Sequence, residues 1–207
     1  MGFFFNNGNN FFINGMFTSV FMIPVIRQIL KREYSAKLYR VSTYYVSLCL
    51  LLVIPSLLYS AIFSPVCYFS VGLKQDFVSF LYYFVLNTFN YLCGCYFGLF
   101  VGAVCGDHLS LIISPFIFIL FMLGSGYFRS NDNFPWMFKW LNYVSPYRYM
   151  IELYILIEQD YNVITQEIGK KLGYTKGLEA CMLILGGYLA LGFIMGFIAL
   201  KLYASKF

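Results

Sequence analysis

Charge is what this chain has least of. Only 11% of its 207 residues are Asp, Glu, Lys or Arg, against 60% hydrophobic, whereas a soluble domain carries about 25% charge. Histidine is nearly absent. His108 stands alone, with no second ligand beside it, so it is expected to be an interfacial loop residue and not part of a metal centre or proton relay. No Gly-x-x-x-x-Gly-Lys-Ser/Thr sequence occurs, and Gly169-Lys170-Lys171 lacks the glycine spacing that cradles a phosphate. Asn-x-Ser/Thr is also missing, so glycosylation gives no guide to sidedness. The first apolar run has no basic region before it and is broken by Asn6, Asn7, Asn9, Asn10 and Asn14, so it is not expected to be a cleavable signal peptide. The connection at 129–179 holds no cysteine. Cys49, Cys67, Cys93, Cys95 and Cys105 lie in or at the ends of the second and third apolar runs, and Cys181 opens the fifth. Cys93-Gly94-Cys95 has the wrong spacing for a Cys-x-x-Cys site and reads as small buried hydrophobes.

Long apolar sequence is abundant instead. Five runs free of charge cover 2–26, 41–72, 77–106, 109–128 and 180–200. A helix rising 1.5 Å per residue needs roughly 20 residues to cross a hydrocarbon core of about 30 Å, and all five reach that length. The chain is therefore read as an all-α polytopic membrane protein filling 1–207. Its five spans are placed at about 2–26, 43–66, 77–105, 109–128 and 180–201. The second run contains Pro55 and Pro65 and is expected to leave the membrane near Pro65, with Lys74 and Asp76 in a turn.

The net charge of +5 does not point to nucleic acid. The basic residues sit between apolar runs, where the positive-inside rule puts them, and not on a solvated face. The segment 27–40 holds five basic residues and one acid, which places it in the cytoplasm. Ile29, Leu30, Tyr34 and Leu38 make it a short amphipathic helix, either a plain anchor or a docking surface for a soluble partner. Asn6, Asn10, Asn14 and Thr18 recur every fourth residue, forming one stripe on a helix. Polar groups facing lipid are costly, so Asn14 and Thr18 should face other helices or a wet cavity. The 129–179 loop, with six basic and six acidic residues, begins with Trp136, Trp140, Tyr143, Tyr147 and Tyr149, an aromatic density suited to headgroup level. From Ser145-Pro146 to Ile157 runs an apolar stretch too short to span but long enough to dip in. Arg148 and Glu152, four apart, are spaced to form a structural pair on one face of it.

These segments, in this order, resemble the membrane domain of the G subfamily of ABC transporters, which includes the white/brown eye-pigment, sterol and multidrug half-transporters. Four stretches carry the likeness: Pro24-x-x-Arg27-x-x-x-x-Arg32-Glu33-Tyr34-x-x-x-Leu38-Tyr39-Arg40-Val41-Ser42-x-Tyr44-Tyr45; Tyr68-Phe69-x-x-Gly72-Leu73; Ser125-Gly126-Tyr127-Phe128; and Pro135-Trp136-x-x-x-Trp140-Leu141-x-Tyr143-x-Ser145-Pro146-x-Arg148-Tyr149-x-x-Glu152. The resemblance implies that the five runs are the second to sixth helices of a six-helix type-2 exporter domain, the first being missing before Met1, with an external re-entrant segment in 129–179. It implies a coupling helix at 27–40, with Arg27, Lys31, Arg32, Glu33, Tyr34 and Arg40 resting on a nucleotide-binding domain. It places a substrate cavity on the axis of a dimer, with Asn14, Phe17 and Thr18 on one side and Ile119 and Met122 on the other, closed above by Tyr127 and Phe128. Where the family usually has an acid before the coupling-loop arginine, Ile26 stands here. The external loop also lacks the cysteines some members use for bridges, so a disulfide-linked dimer is not expected.

The expectation is thus the membrane half of an ABC half-transporter, as a fragment or a truncated product, moving lipids, sterols or other amphipathic small molecules. Its partners would be a nucleotide-binding domain, a second identical or different half, and membrane lipid, in the plasma membrane or an internal membrane. The chain itself would be no enzyme and hold no metal; ATP and Mg would be bound by the absent domain. The rival is a non-ABC multi-span protein such as a channel or scaffold subunit. A channel predicts ionisable residues inside the spans, and Asp, Glu, Lys, Arg and His are absent from the five spans as placed, except for Lys201 at the last boundary.

Overall fold

A computed structural model describes residues 2–36, 40–74, 76–105, 107–125, 127, 139–158 and 178–204. Among them are seven α-helices: α1 (Gly2–Ser35), α2 (Val41–Val71), α3 (Phe77–Cys105), α4 (Asp107–Leu123), α5 (Lys139–Val144), α6 (Pro146–Glu158) and α7 (Leu178–Ala204). Four of these, α1, α2, α3 and α7, are long and apolar enough to cross a membrane, while the apolar part of α4, Leu109–Leu123, is shorter. The bundle is an all-α, multi-pass architecture.

The centre of the bundle is α3. It packs against α1, α2, α4, α6 and α7, and 61% of its most apolar window is buried, against 28% for α2 and for α7. Glycine explains its closeness to α1. Gly94, Gly98 and Gly102 recur every fourth residue on α3. A Cβ there would stand 2.2 Å from the Phe12 carbonyl oxygen, 2.4 Å from that of Met16 and 2.3 Å from Ile23 Cγ1. Gly15 on α1 answers them, with its Cβ position 2.1 Å from the Tyr91 carbonyl oxygen. Lipid offers no hydrophobic drive for helices to associate, so close backbone approach through small residues supplies the packing. The pairings also show that α1 and α3 run parallel, with α2 returning between them.

Three boundaries differ from the sequence expectation. The first helix does not stop at residue 26 but continues through Pro24 and Arg27 to Ser35. Arg27–Ser35 is therefore the end of α1, not a separate short helix, and 37–39 lie outside the described residues. The second helix passes both prolines and ends at Val71, where Gly72 takes the left-handed conformation (φ +69°) that glycine adopts without strain. The fourth ends at Leu123 because the α5–α6 elbow sits on it. Ser145 Oγ donates to the Phe121 carbonyl oxygen at 2.6 Å, and a Cβ on Gly124 would meet the Leu141 carbonyl oxygen at 2.7 Å. His108, expected in a loop, falls in the first turn of α4, since a single residue separates α3 from α4.

Candidate transport path and coupling surface

The polar stripe on α1 solves its own solvation problem. Asn10 Nδ2 donates to the Asn6 carbonyl oxygen at 3.2 Å, Asn14 Nδ2 to that of Asn10 at 2.8 Å, and Thr18 Oγ1 to that of Asn14 at 2.7 Å. The lower half then turns inward. Asn14 Nδ2 also donates to the Tyr59 hydroxyl on α2 at 3.1 Å, and Thr18 Oγ1 lies 2.8 Å from the Tyr91 hydroxyl on α3. Asn6 and Asn10 stay exposed on the outer face of α1, which Phe21 continues at 63% exposure. On α4, Ile119 is 45% exposed and Met122 half-buried.

The structure therefore brings Asn14 and Thr18 together against α2 and α3. Phe17 stacks on Phe21, 5.8 Å between centroids, at the edge of the open face. Ile119 and Met122 belong to a neighbouring open face on α4, which packs against α1. Both faces look out of the single chain. Tyr127 stacks on Phe5 at 4.3 Å, tying the segment after α4 to the start of α1. Phe128 lies outside the described residues.

A buried hydrogen-bond network behind these faces escaped the sequence reading. Asn7 Nδ2 donates to Asn87 Oδ1 at 2.9 Å and to the Tyr154 hydroxyl at 3.1 Å. The Tyr154 hydroxyl donates in turn to Asn87 Oδ1, and Asn87 Nδ2 donates to Ser64 Oγ at 2.9 Å. Asn90 Nδ2 donates to the Gly8 carbonyl oxygen at 2.9 Å. The side chains of Asn7, Ser64, Asn87 and Tyr154 thus bind four helices, α1, α2, α3 and α6, through buried polar groups. The available signal was Asn87 and Asn90, three apart inside a charge-free run.

Helix α6 lies buried on nearly every side, Arg148 and Glu152 included, one turn apart. The Arg148 guanidinium stands over the Tyr143 ring, 5.3 Å from its centroid. At the far end of α6, Glu158 Oε2 accepts the Lys74 backbone N–H at 3.4 Å. Burial pushes the Glu158 carboxyl above its ordinary range, with the Lys74 N–H and the Lys74 charge pulling partly back.

At the opposite end of the bundle, Lys31 and Arg32 are exposed and Glu33 and Tyr34 half-exposed on the last turns of α1; Arg40 is exposed just before α2. Arg27 points back into the bundle. Its Nη2 donates to the Gly102 and Ala103 carbonyl oxygens at 2.9 and 3.0 Å, and its guanidinium lies 4.5 Å from the Tyr203 ring centroid.

Residues 1–158 match the family model described as ABC-2 type transporter. The chain belongs to the ABC-2 transporter membrane-domain family. It is 28% identical over 150 residues to ABC transporter G family member 21 of Arabidopsis thaliana, covering 72% of this chain and 22% of that protein. It is 32% identical over 137 residues to ABC transporter G family member 5 of the same plant, covering 64% and 20%. To Protein white of Ceratitis capitata it is 29% identical over 172 residues, covering 80% and 24%. The chain thus spans about a fifth to a quarter of the length of these relatives. As an ABC-2 membrane domain with several long apolar helices, it is an integral, multi-pass membrane protein.

Proposed function

We propose that this chain is the membrane half of an ATP-driven exporter. It would move lipid, sterol or other amphipathic small molecules by alternating access at an interface between two such halves. The observation that carries the reading is the open face of α1 and α4. Asn6, Asn10 and the half-buried Phe17 stand on α1, with Phe21 beyond them, and Ile119 and Met122 stand on α4. A mixed face of amide and large apolar groups suits an amphiphile better than a hydrated ion. Completing the cavity takes a second copy, identical or different, and Tyr127 with Phe128 would close its outer end.

ATP and Mg would be held by a nucleotide-binding domain outside this chain, with its movement received by Lys31, Arg32, Glu33, Tyr34 and Arg40. Because α1 is continuous from Gly2 to Ser35, a push on Lys31, Arg32, Glu33 or Tyr34 acts on the helix that carries Asn14 and Phe17, while Arg40 would pass it to the start of α2. The test is crosslinking between copies in the full-length protein with Phe17→Cys and Ile119→Cys. The expected result is an inter-copy crosslink that transported amphiphile protects and ATP alters. A monomer that transports with undiminished rate would contradict the reading.

A further inference from the structure

The hydrogen bonds along α1 decide which kind of polar group the open face can receive. Asn14 has two amide protons, and both are spent within the bundle. One goes to the Asn10 carbonyl oxygen at 2.8 Å and the other to the Tyr59 hydroxyl on α2 at 3.1 Å. Turning the amide over would set Asn14 Oδ1 against the Asn10 carbonyl oxygen, acceptor facing acceptor, so the backbone of α1 fixes which way the amide points. Thr18 is committed in the same way. Its one proton goes to the Asn14 carbonyl oxygen at 2.7 Å, which makes the Tyr91 hydroxyl the donor in the 2.8 Å contact with Thr18 Oγ1.

What remains at this level is an acceptor. Among the described residues the bonds of the Asn14 side chain all run from its nitrogen, and none reaches Oδ1. Asn14 is only half-buried, and the amide oxygens sealed inside the bundle without a partner are those of Asn9 and Asn90. Asn14 Oδ1 is therefore reachable from the open face. Phe17, stacked on Phe21, supplies apolar surface beside it. A hydroxyl or N–H brought to that oxygen gains a bond. An ether or ketone oxygen brought there loses its water and gains none, which is costly in apolar surroundings.

We propose that the inner half of the α1 stripe selects amphiphiles carrying a hydrogen-bond donor, and that Tyr59 sets this preference by holding the second Asn14 proton. The preference rests on the exporter reading, since it names what would sit against Asn14 and Phe17. It belongs to Asn14 and Thr18 alone, because Asn10, exposed one turn outward, spends only one of its two amide protons on α1.

The experiment is equilibrium binding, to the full-length protein in micelles, of tritiated cholesterol, whose one polar group is a hydroxyl, and of its 3-methyl ether, which can only accept. The expected result is at least about tenfold tighter binding of the alcohol. Tyr59→Phe releases an Asn14 proton toward the ether and should cut that ratio to about threefold or less by tightening the ether. Asn14→Leu should cut it as far by weakening the alcohol, and keeps the test alive if Tyr59→Phe fails to fold. Binding of neither compound, equal binding of both, or a ratio that the variants leave unchanged would overturn the proposal. So would weaker ether binding on Tyr59→Phe, which would make the Tyr59 hydroxyl itself the donor. The exporter reading fails by a different result, undiminished transport by a monomer.

Discussion

At the scale of single residues, the buried amides carry the sharpest expectations. Asn87 bonds to Asn7, Ser64 and Tyr154 at once, and side-chain hydrogen bonds within membranes average about 0.6 kcal/mol, reaching about 1.7. Asn87→Leu should therefore cost about 2 kcal/mol and Tyr154→Phe about half that, read by reversible unfolding in mixed micelles. Equal costs for the two would show that Asn87 is not the hub. Glu158 gives a pH signature. Its folded carboxyl is lifted above the unfolded range, so the fold binds that proton more tightly than the unfolded chain does. The associated stability is present in acid and lost as pH rises through the raised value. Glu158→Gln should match the parent near pH 4 and melt higher than it at pH 8; parallel melting curves at both pH values would remove burial as the cause. Fourfold spacing made Asn14 and Thr18 legible from sequence. The partners of Asn87 were not, because they come from positions 23, 67 and 80 residues away, a juxtaposition only the assembled bundle creates.

At the scale of helices, each apolar run holds a helix, but only four of the five are long enough to cross a membrane, because α4 ends at Leu123; the breaks were harder to see. Charge marks where a helix leaves the apolar phase, not where its backbone stops, so α1 runs on to Ser35 although its apolar run closes at Ile26. The end of α4 is set by the elbow at Leu141–Ser145, eighteen or more residues downstream, and no local signal encodes that contact. Glycine separates the two faces of the bundle cleanly. Gly98→Leu drives side-chain atoms into the Met16 backbone on α1 and should cost at least about 2 kcal/mol, with loss of the α1–α3 contact. Gly187→Ala on α7 meets nothing within 4 Å, so it should be neutral or stabilise by up to about 1 kcal/mol through helix propensity. Thermal stability of the pair in one detergent checks both; a destabilised Gly187→Ala would mean that α7 has a partner on that face.

At the scale of the whole molecule, the bundle presents two surfaces at different levels. The mixed polar and apolar face of α1 and α4 looks sideways, where the proposed second copy would dock, while the basic last turns of α1 look endways. One continuous helix, α1, connects them, and Arg27 ties that helix to the ends of α3 and α7. The dense basic cluster beside apolar residues was legible in the sequence, and the coupling role proposed for it comes from the family resemblance. The cluster's continuity with the crossing helix was not legible, and it is what would turn a docking surface into a lever. The decisive measurement is crosslinking of single cysteines, placed in turn at Lys31, Arg32, Glu33 and Tyr34 of the full-length protein, to its nucleotide-binding domain with and without ATP. A crosslink at Glu33 or Tyr34 that changes with ATP is the predicted result. With the protein inserted and folded, the absence of any crosslink at all four positions would contradict the coupling role and, with it, the exporter reading.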